Sequence, residues 1–236
     1  MVTRETRTTG SRRRGFYVAT SSLMALLVLI GFWPSYFGPL LRLAVERSVV
    51  IHIHAVVYVG WLALFITQAA LAAVGQTQRH RQLGRIGIGY GALVIVVGLV
   101  TTLYQFAGRI GAQGLEQSLA YPTWPLIDMA IFTPFFVSAA AFRDRPEIHK
   151  RLMIVATTTL LIAAVGRMAL PPAIERVVWF SPILLGLAYD LIKRGLVHPV
   201  YVIGLIVLFV SSFRDGLMET NVWPAFVRWL GTIVGS

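Results

Sequence analysis

The chain has 236 residues, 56% of them hydrophobic and only 13% charged, with a formal net charge of +11. A soluble domain carries about 25% charged residues and disorder needs low hydrophobicity, so both are excluded. Cysteine is absent, which removes disulfides, thiolate catalysis, iron–sulfur clusters and Cys-ligated zinc. The mean hydropathy of +0.72 leaves an all-α polytopic membrane protein.

Residues 1–15 form a basic arm with Arg4, Arg7, Arg12, Arg13 and Arg14. It reads as disordered, held near anionic lipid, and leads into an uncleaved signal anchor, since no small-residue cleavage site follows. The bundle occupies residues 16–213. A crossing needs about 20 mostly apolar residues, and seven stretches qualify: Phe16–Trp33, Val50–Val74, Ile86–Phe106, Pro125–Phe142, Leu152–Leu170, Val177–Ile192 and Pro199–Phe213. The sixth is interrupted by Pro182. Residues 214–236 carry Trp223, Val227, Leu230 and Val234 at helical spacing, which predicts an amphipathic helix lying in the interface.

Lys and Arg in the connections set the orientation. One alternate set of segments, beginning with the N-terminus, holds 14 of the 21 basic residues, and the other holds 6. The expected topology is seven spans in a bacterial inner membrane, N-terminus cytoplasmic and C-terminus outside. The positive surplus is topology and needs no nucleic acid. The lipid bilayer is the expected partner, together with other subunits if the chain belongs to a membrane complex.

Ionisable groups inside a bundle are functional suspects. On the second span His54, Tyr58, Trp61, Phe65 and Gln68 follow at i, i+4, i+7, i+11 and i+14, one helical stripe that should face inward. His52 points elsewhere. On the fifth span His149 and Arg167 lie eighteen residues apart on one face. Arg167 needs a partner because guanidinium stays charged, and Asp128 on the neighbouring span has matching depth. The expectation is an Asp128–Arg167 clamp, or an Arg167 that holds an anionic group. His54, Tyr58, Asp128 and Arg167 therefore form an expected cofactor-binding pocket near the outer surface. Gly84, Gly87, Gly91 and Gly98 share one side of the third span, suiting close helix packing.

Near the inner surface stand His80, His149, His198 and Asp190. Asp190 precedes Lys193 and Arg194 by three and four residues, so an ion pair at the helix end explains it. His198 precedes Pro199 and reads as a helix-entry residue. Alternatively, three imidazoles on three segments suit a haem b or a transition metal, with Asp190 as a supporting group. A haem ladder lacks an outer rung, because His52 and His54 share one helix. Serine-hydrolase, phosphate-loop and dinucleotide patterns are absent, and the apolar middle of the bundle speaks against a channel or a proton-coupled transporter.

The His80-Arg81-Gln82-Leu83-Gly84-Arg85 and His149-Lys150-Arg151-Leu152-Met153 stretches, with Arg167 eighteen residues after His149, resemble a broad set of bacterial multi-pass membrane proteins. These carry H-R-x-L-G-R and H-[KR]-R-x-M…R patterns. The resemblance covers roughly residues 50 to 170 and implies no particular activity. Three readings stand on the sequence. One is a redox or metal-handling membrane protein with a His-lined site at the inner face. The others are a non-catalytic accessory or assembly subunit and a metal-dependent membrane hydrolase.

Overall fold

The computed structural model describes the backbone of residues 5–44 and 47–235, with side chains from residue 15 onward. Among the described residues every regular element is helical. Helix α1 is Glu5–Phe32, prolonged by a widened π-helical turn, Trp33–Phe37, and a last turn, Gly38–Leu41. Then come α2 (Val49–Ala73), α3 (Thr77–Gln113), α4 (Thr123–Ala141), α5 (Pro146–Leu160, continued by Ile162–Val165), α6 (Pro172–Arg194), α7 (Pro199–Ser211) and α8 (Val222–Val234). Of the basic arm, residues 1–4 lie outside the described residues, and the helix of α1 begins at Glu5.

Local chemistry sets the ends. Pro146, Pro172 and Pro199 stand in the first turns of α5, α6 and α7, where their missing N–H would have no helical partner anyway. Helix α6 carries Glu175 in its first turn and Lys193 and Arg194 in its last, matching the helix dipole. It stops at Gly195, whose φ of 70° is the left-handed conformation that favours glycine. Pro182 lies inside α6 without dividing it.

Consecutive helices from α1 to α7 pack on one another, α5 also packs on α7, α1 reaches α5 and α6, and α8 packs on α3. One end of the bundle, called here the N-terminal end, gathers the start of α1 with the end of α6, where Phe16 stacks on Tyr189 at 4.1 Å. The far end gathers the end of α1 with the start of α2, where Tyr36 Oη lies 2.9 Å from His52 Nδ1.

Among the described residues, five helical segments are long and apolar enough to cross a membrane: Gly15–Leu41, Val49–Ala73, Thr77–Gln113, Thr123–Ala141 and Pro146–Val165. The chain is thus an all-helical protein of membrane type. Helix α5 is its axis, with 67% of its apolar stretch buried against 17–28% in the other four. Its Ile154, Val155 and Ala156 sit in one core with Trp61, Phe132, Phe136, Trp179 and Tyr201. Lipid tails are as apolar as leucine, so close packing holds such helices together rather than escape from water. Gly31 supplies one such approach: a side chain there would strike the backbone of Ala164. Gly98 supplies another, since its missing side chain makes room for the Tyr58 hydroxyl and the Met129 sulfur.

The helix that carries the third span runs on past Phe106: α3 has 37 residues, about 55 Å at 1.5 Å per residue, more than a bilayer-length segment. The Trp223, Val227, Leu230 and Val234 stripe of α8 packs against Phe106 and Ile110 of α3 and against Leu115 and Leu119 of the segment that follows it. That stripe faces protein, because the end of α3 offers an apolar surface at the same level. Arg228 closes the contact, bonding both oxygens of Glu116 at 2.8 and 2.9 Å.

Candidate functional site

A cavity of about 480 Å³ opens at the far end between α1, α2, α3, α4 and α5. His54, Tyr58, Asp128 and Arg167, the four residues of the expected pocket, all line it. Helix α2 brings the first two: its polar stripe faces the bundle, His54 stacks on Tyr58 at 4.1 Å, and Trp61 lies edge-on to Phe132 and Phe136. The Tyr58 hydroxyl donates to the Val94 carbonyl at 3.2 Å. The glycine side of α3 is filled by these neighbours, with Phe136 against Gly91 and Tyr58 against Gly98.

The wall is mostly apolar, but its polar atoms are not satisfied from within. His54 Nδ1, Trp61 Nε1, Thr101 Oγ1 and Thr157 Oγ1 are buried and lack a hydrogen-bond partner, and all four residues line this cavity. Thr157 differs from its neighbours here, since Thr158 and Thr159 bond back to Ile154 and Val155 carbonyls. Sequence reasoning passed over Thr101 and Thr157. The signal was a run of three threonines in a buried helix, of which at most some can turn onto their own helix.

The expected Asp128–Arg167 clamp does not form. Asp128 Oδ1 instead accepts from Arg214, just beyond α7, at 2.5 Å. Arg214 also donates to the Trp124 carbonyl at 3.2 Å and stacks 3.9 Å above the Trp124 ring. Both arginines lie at the depth of Asp128, but α7 delivers its arginine to the carboxylate. Arg167 turns the other way, donating to the Ala163 carbonyl of its own helix end and lying 4.5 Å over the Phe32 ring. Among the described residues no carboxylate pairs with it. Tyr121, on the connection into α4, also lines the cavity. Burial pushes its phenol up, and the charges of Arg109 and Arg167 oppose that. The cavity wall is therefore mostly apolar and includes one arginine without an acidic partner, the paired Asp128, and four residues with an unsatisfied polar atom.

The residues expected at the inner face divide into two places. His80 and His149 stand together at the N-terminal end, ring centroids 6.4 Å apart. His198 and Asp190 belong to another group. Asp190 is fully buried and takes a two-pronged contact from Arg151, with Arg151 Nε on Oδ2 at 2.9 Å and Nη2 on Oδ1. Arg151 also holds Glu147, which Lys150 and Arg194 join from the surface. The expected Asp190 pairing with Lys193 and Arg194 gives way because Arg151 approaches from α5 inside the bundle. Its position was readable: Arg151, Val155, Thr158 and Ile162 follow one buried stripe of α5.

His198 is the N-cap of α7, as its place before Pro199 suggests. Its Nδ1 accepts from the Val200 N–H at 3.3 Å, and its own N–H donates to Asp190 at 3.3 Å. Burial, aided by Arg151, holds its ring below the usual histidine range. The ring's lone pair is thus occupied. Among the described residues no three histidine, aspartate or glutamate side chains are grouped to hold a metal ion, so the expected set of His80, His149, His198 and Asp190 does not assemble.

Compared with known proteins, the chain matches no family, and neither a curated protein nor a solved structure is similar to it.

Proposed function

We propose that the chain is a seven-span protein of a bacterial inner membrane, with its N-terminus in the cytoplasm, and that its far-end cavity binds an amphipathic small molecule with an anionic head. Alternating basic connections support the orientation. The motifs around His80 and His149, which resemble those of bacterial multi-pass membrane proteins, support the compartment. Helices α6 and α7 complete the seven.

One observation carries the binding reading: four residues of a single cavity wall, His54, Trp61, Thr101 and Thr157, each hold a buried polar atom without a partner. Each such atom costs roughly 1–3 kcal/mol if it stays unsatisfied, and a small turn of its side chain toward the cavity would let a polar ligand group relieve that cost. Arg167 at its edge selects a carboxylate or phosphate, since a guanidinium matches either in two-pronged fashion. The apolar walls suit a hydrocarbon or ring system, and the volume falls in the range of small-molecule sites. Lipid-derived acids and phosphates are the ligand class.

The test is native mass spectrometry of the protein purified into lipid nanodiscs, with extraction of whatever is bound. One amphiphile per chain is expected, lost in Arg167→Ala and kept in Arg228→Ala, which disturbs only the α8 contact. A wild-type mass equal to the bare chain, with no added fatty acid or prenyl phosphate shifting its thermal unfolding, overturns the reading. In that case co-purification with another membrane subunit would favour the accessory role.

A further inference from the structure

His80 and His149 sit at the opposite end of the bundle from the cavity, in the first turns of α3 and α5. Each reaches back across a helix–helix connection to a carbonyl of the preceding helix. His80 Nδ1 lies 3.2 Å from the Gln68 oxygen, and His149 Nδ1 lies 2.8 Å from the Ala139 oxygen. A carbonyl only accepts, so both Nδ1 atoms carry a proton, and in the neutral form of either ring the bare lone pair is on Nε2. A metal-bound imidazole is arranged in this way, with its other N–H tied to a carbonyl that fixes tautomer and ring orientation. His198 has the opposite arrangement, its Nδ1 lone pair being taken by Val200.

The separation leaves room for a shared ion. Two imidazoles bound in line to one ion, each through the nitrogen facing the other ring and with metal–nitrogen bonds of about 2.0–2.1 Å, have ring centroids roughly 6 Å apart. The observed separation is 6.4 Å, with the planes at 85°. Perpendicular planes keep the ring C–H groups of one imidazole clear of the other.

We propose that His80 and His149 hold one cuprous ion between their Nε2 atoms. Imidazole suits copper, and a cuprous ion is satisfied by two ligands in line, which matters because no third histidine or carboxylate is grouped with these two among the described residues. The charges around the pair favour the lower charge of that ion. Arg79, Arg81, Lys150 and Arg151 flank the two histidines, and only Lys150 and Arg151 are matched by carboxylates, Glu147 and Asp190. The site is independent of the amphiphile reading and stands or falls apart from it.

The test uses the full chain in nanodiscs, stripped with a chelator and titrated anaerobically with Cu⁺ against a chromophoric cuprous chelator. X-ray absorption then reports the ligands. One equivalent with two nitrogen neighbours is expected. His80→Gln and His149→Gln each keep an amide N–H for the carbonyl and should weaken binding about tenfold or more. His52→Gln and His198→Gln should leave it unchanged. If His149→Gln fails to fold, His80→Gln decides alone. Absence of binding, binding indifferent to both substitutions, or a haem absorption band in the purified protein overturns the proposal.

Discussion

Two buried ion pairs tie the bundle together at opposite ends, and they are built differently. At the N-terminal end Arg151 and Asp190 are 1% and 0% exposed, and the contact is two-pronged. The remaining Arg151 nitrogen goes to Glu147 and the Asp190 carboxylate also caps the start of α7. At the far end Arg214 touches Asp128 through one nitrogen, while its Nε and Nη2 have no hydrogen-bond partner. At one end Arg151 has its charge matched and its nitrogens engaged, with the Tyr17 and Tyr201 hydroxyls nearby left without partners. The other is left open beside a cavity whose wall holds further unsatisfied atoms. The two pairs therefore differ in how completely their arginine donors are used.

Removing Asp190 should break this contrast most severely. Asp190→Ala strands the Arg151 charge in a dry interior, which typically costs 3–5 kcal/mol, and should appear as a large fall in thermal unfolding temperature and in yield. The double change Arg151→Met with Asp190→Leu should recover much of that loss, since a well-packed apolar pair often replaces a buried ion pair without penalty. Failure of the double variant to improve on the single would show that the pair does more than fasten α5 to α6.

Asp128→Asn should be milder, roughly 1–3 kcal/mol by the cost of unsatisfied donors, because Arg214 keeps the Trp124 carbonyl and ring. Hydrogen exchange should rise at the start of α4 and around Phe213–Glu219 and stay unchanged at Arg151. Thr157→Val should be smaller still and of opposite sign. Removing a hydroxyl that has no partner should leave the empty protein equally stable or about 0.5–1 kcal/mol more stable, while weakening retention of any amphiphile. Stability with and without added fatty acid separates the two effects.

The smallest effect is a pH dependence at α8. Arg228 holds the Glu116 carboxyl below its ordinary value of 4.5, chiefly by hydrogen bonding. A carboxyl so depressed contributes its stability above that value and loses it as pH falls below. Both groups are exposed, so salt should screen the contact. Hydrogen exchange of α8 should quicken on acidification below pH 4.5, and Glu116→Gln should remove the pH dependence.

Much of the architecture was legible because membrane helices announce themselves by length and apolarity, and the start of α7 by the His198-Pro199 step. The polar stripe of α2 was legible for the same reason: a helical period places His54 and Tyr58 on one face whatever the neighbours. Partner choice was not. Sequence assigns depth to Asp128, Arg167 and Arg214 alike, but which helix stands beside α4 is decided by packing around α5. Asp190 makes the same point: Lys193 and Arg194 were close in sequence, and Arg151 was close in space. The length of α3 was hidden because Gly108, Arg109 and Gly111 look like a connection, while α8 covers the helix they form.

The irregular step at Leu161 has one more consequence. Beyond it the backbone tightens to shorter-range bonds, with Leu161 N on the Thr158 oxygen and Ala164 N on the Leu161 oxygen. Helix α5 therefore ends early, with the negative pole of its dipole close to the cavity, and Arg167 folds back to serve that pole at Ala163. Were an anion to enter the cavity, it would meet a guanidinium already engaged, and its departure would return that guanidinium to the helix end, so that neither state would strand a charge.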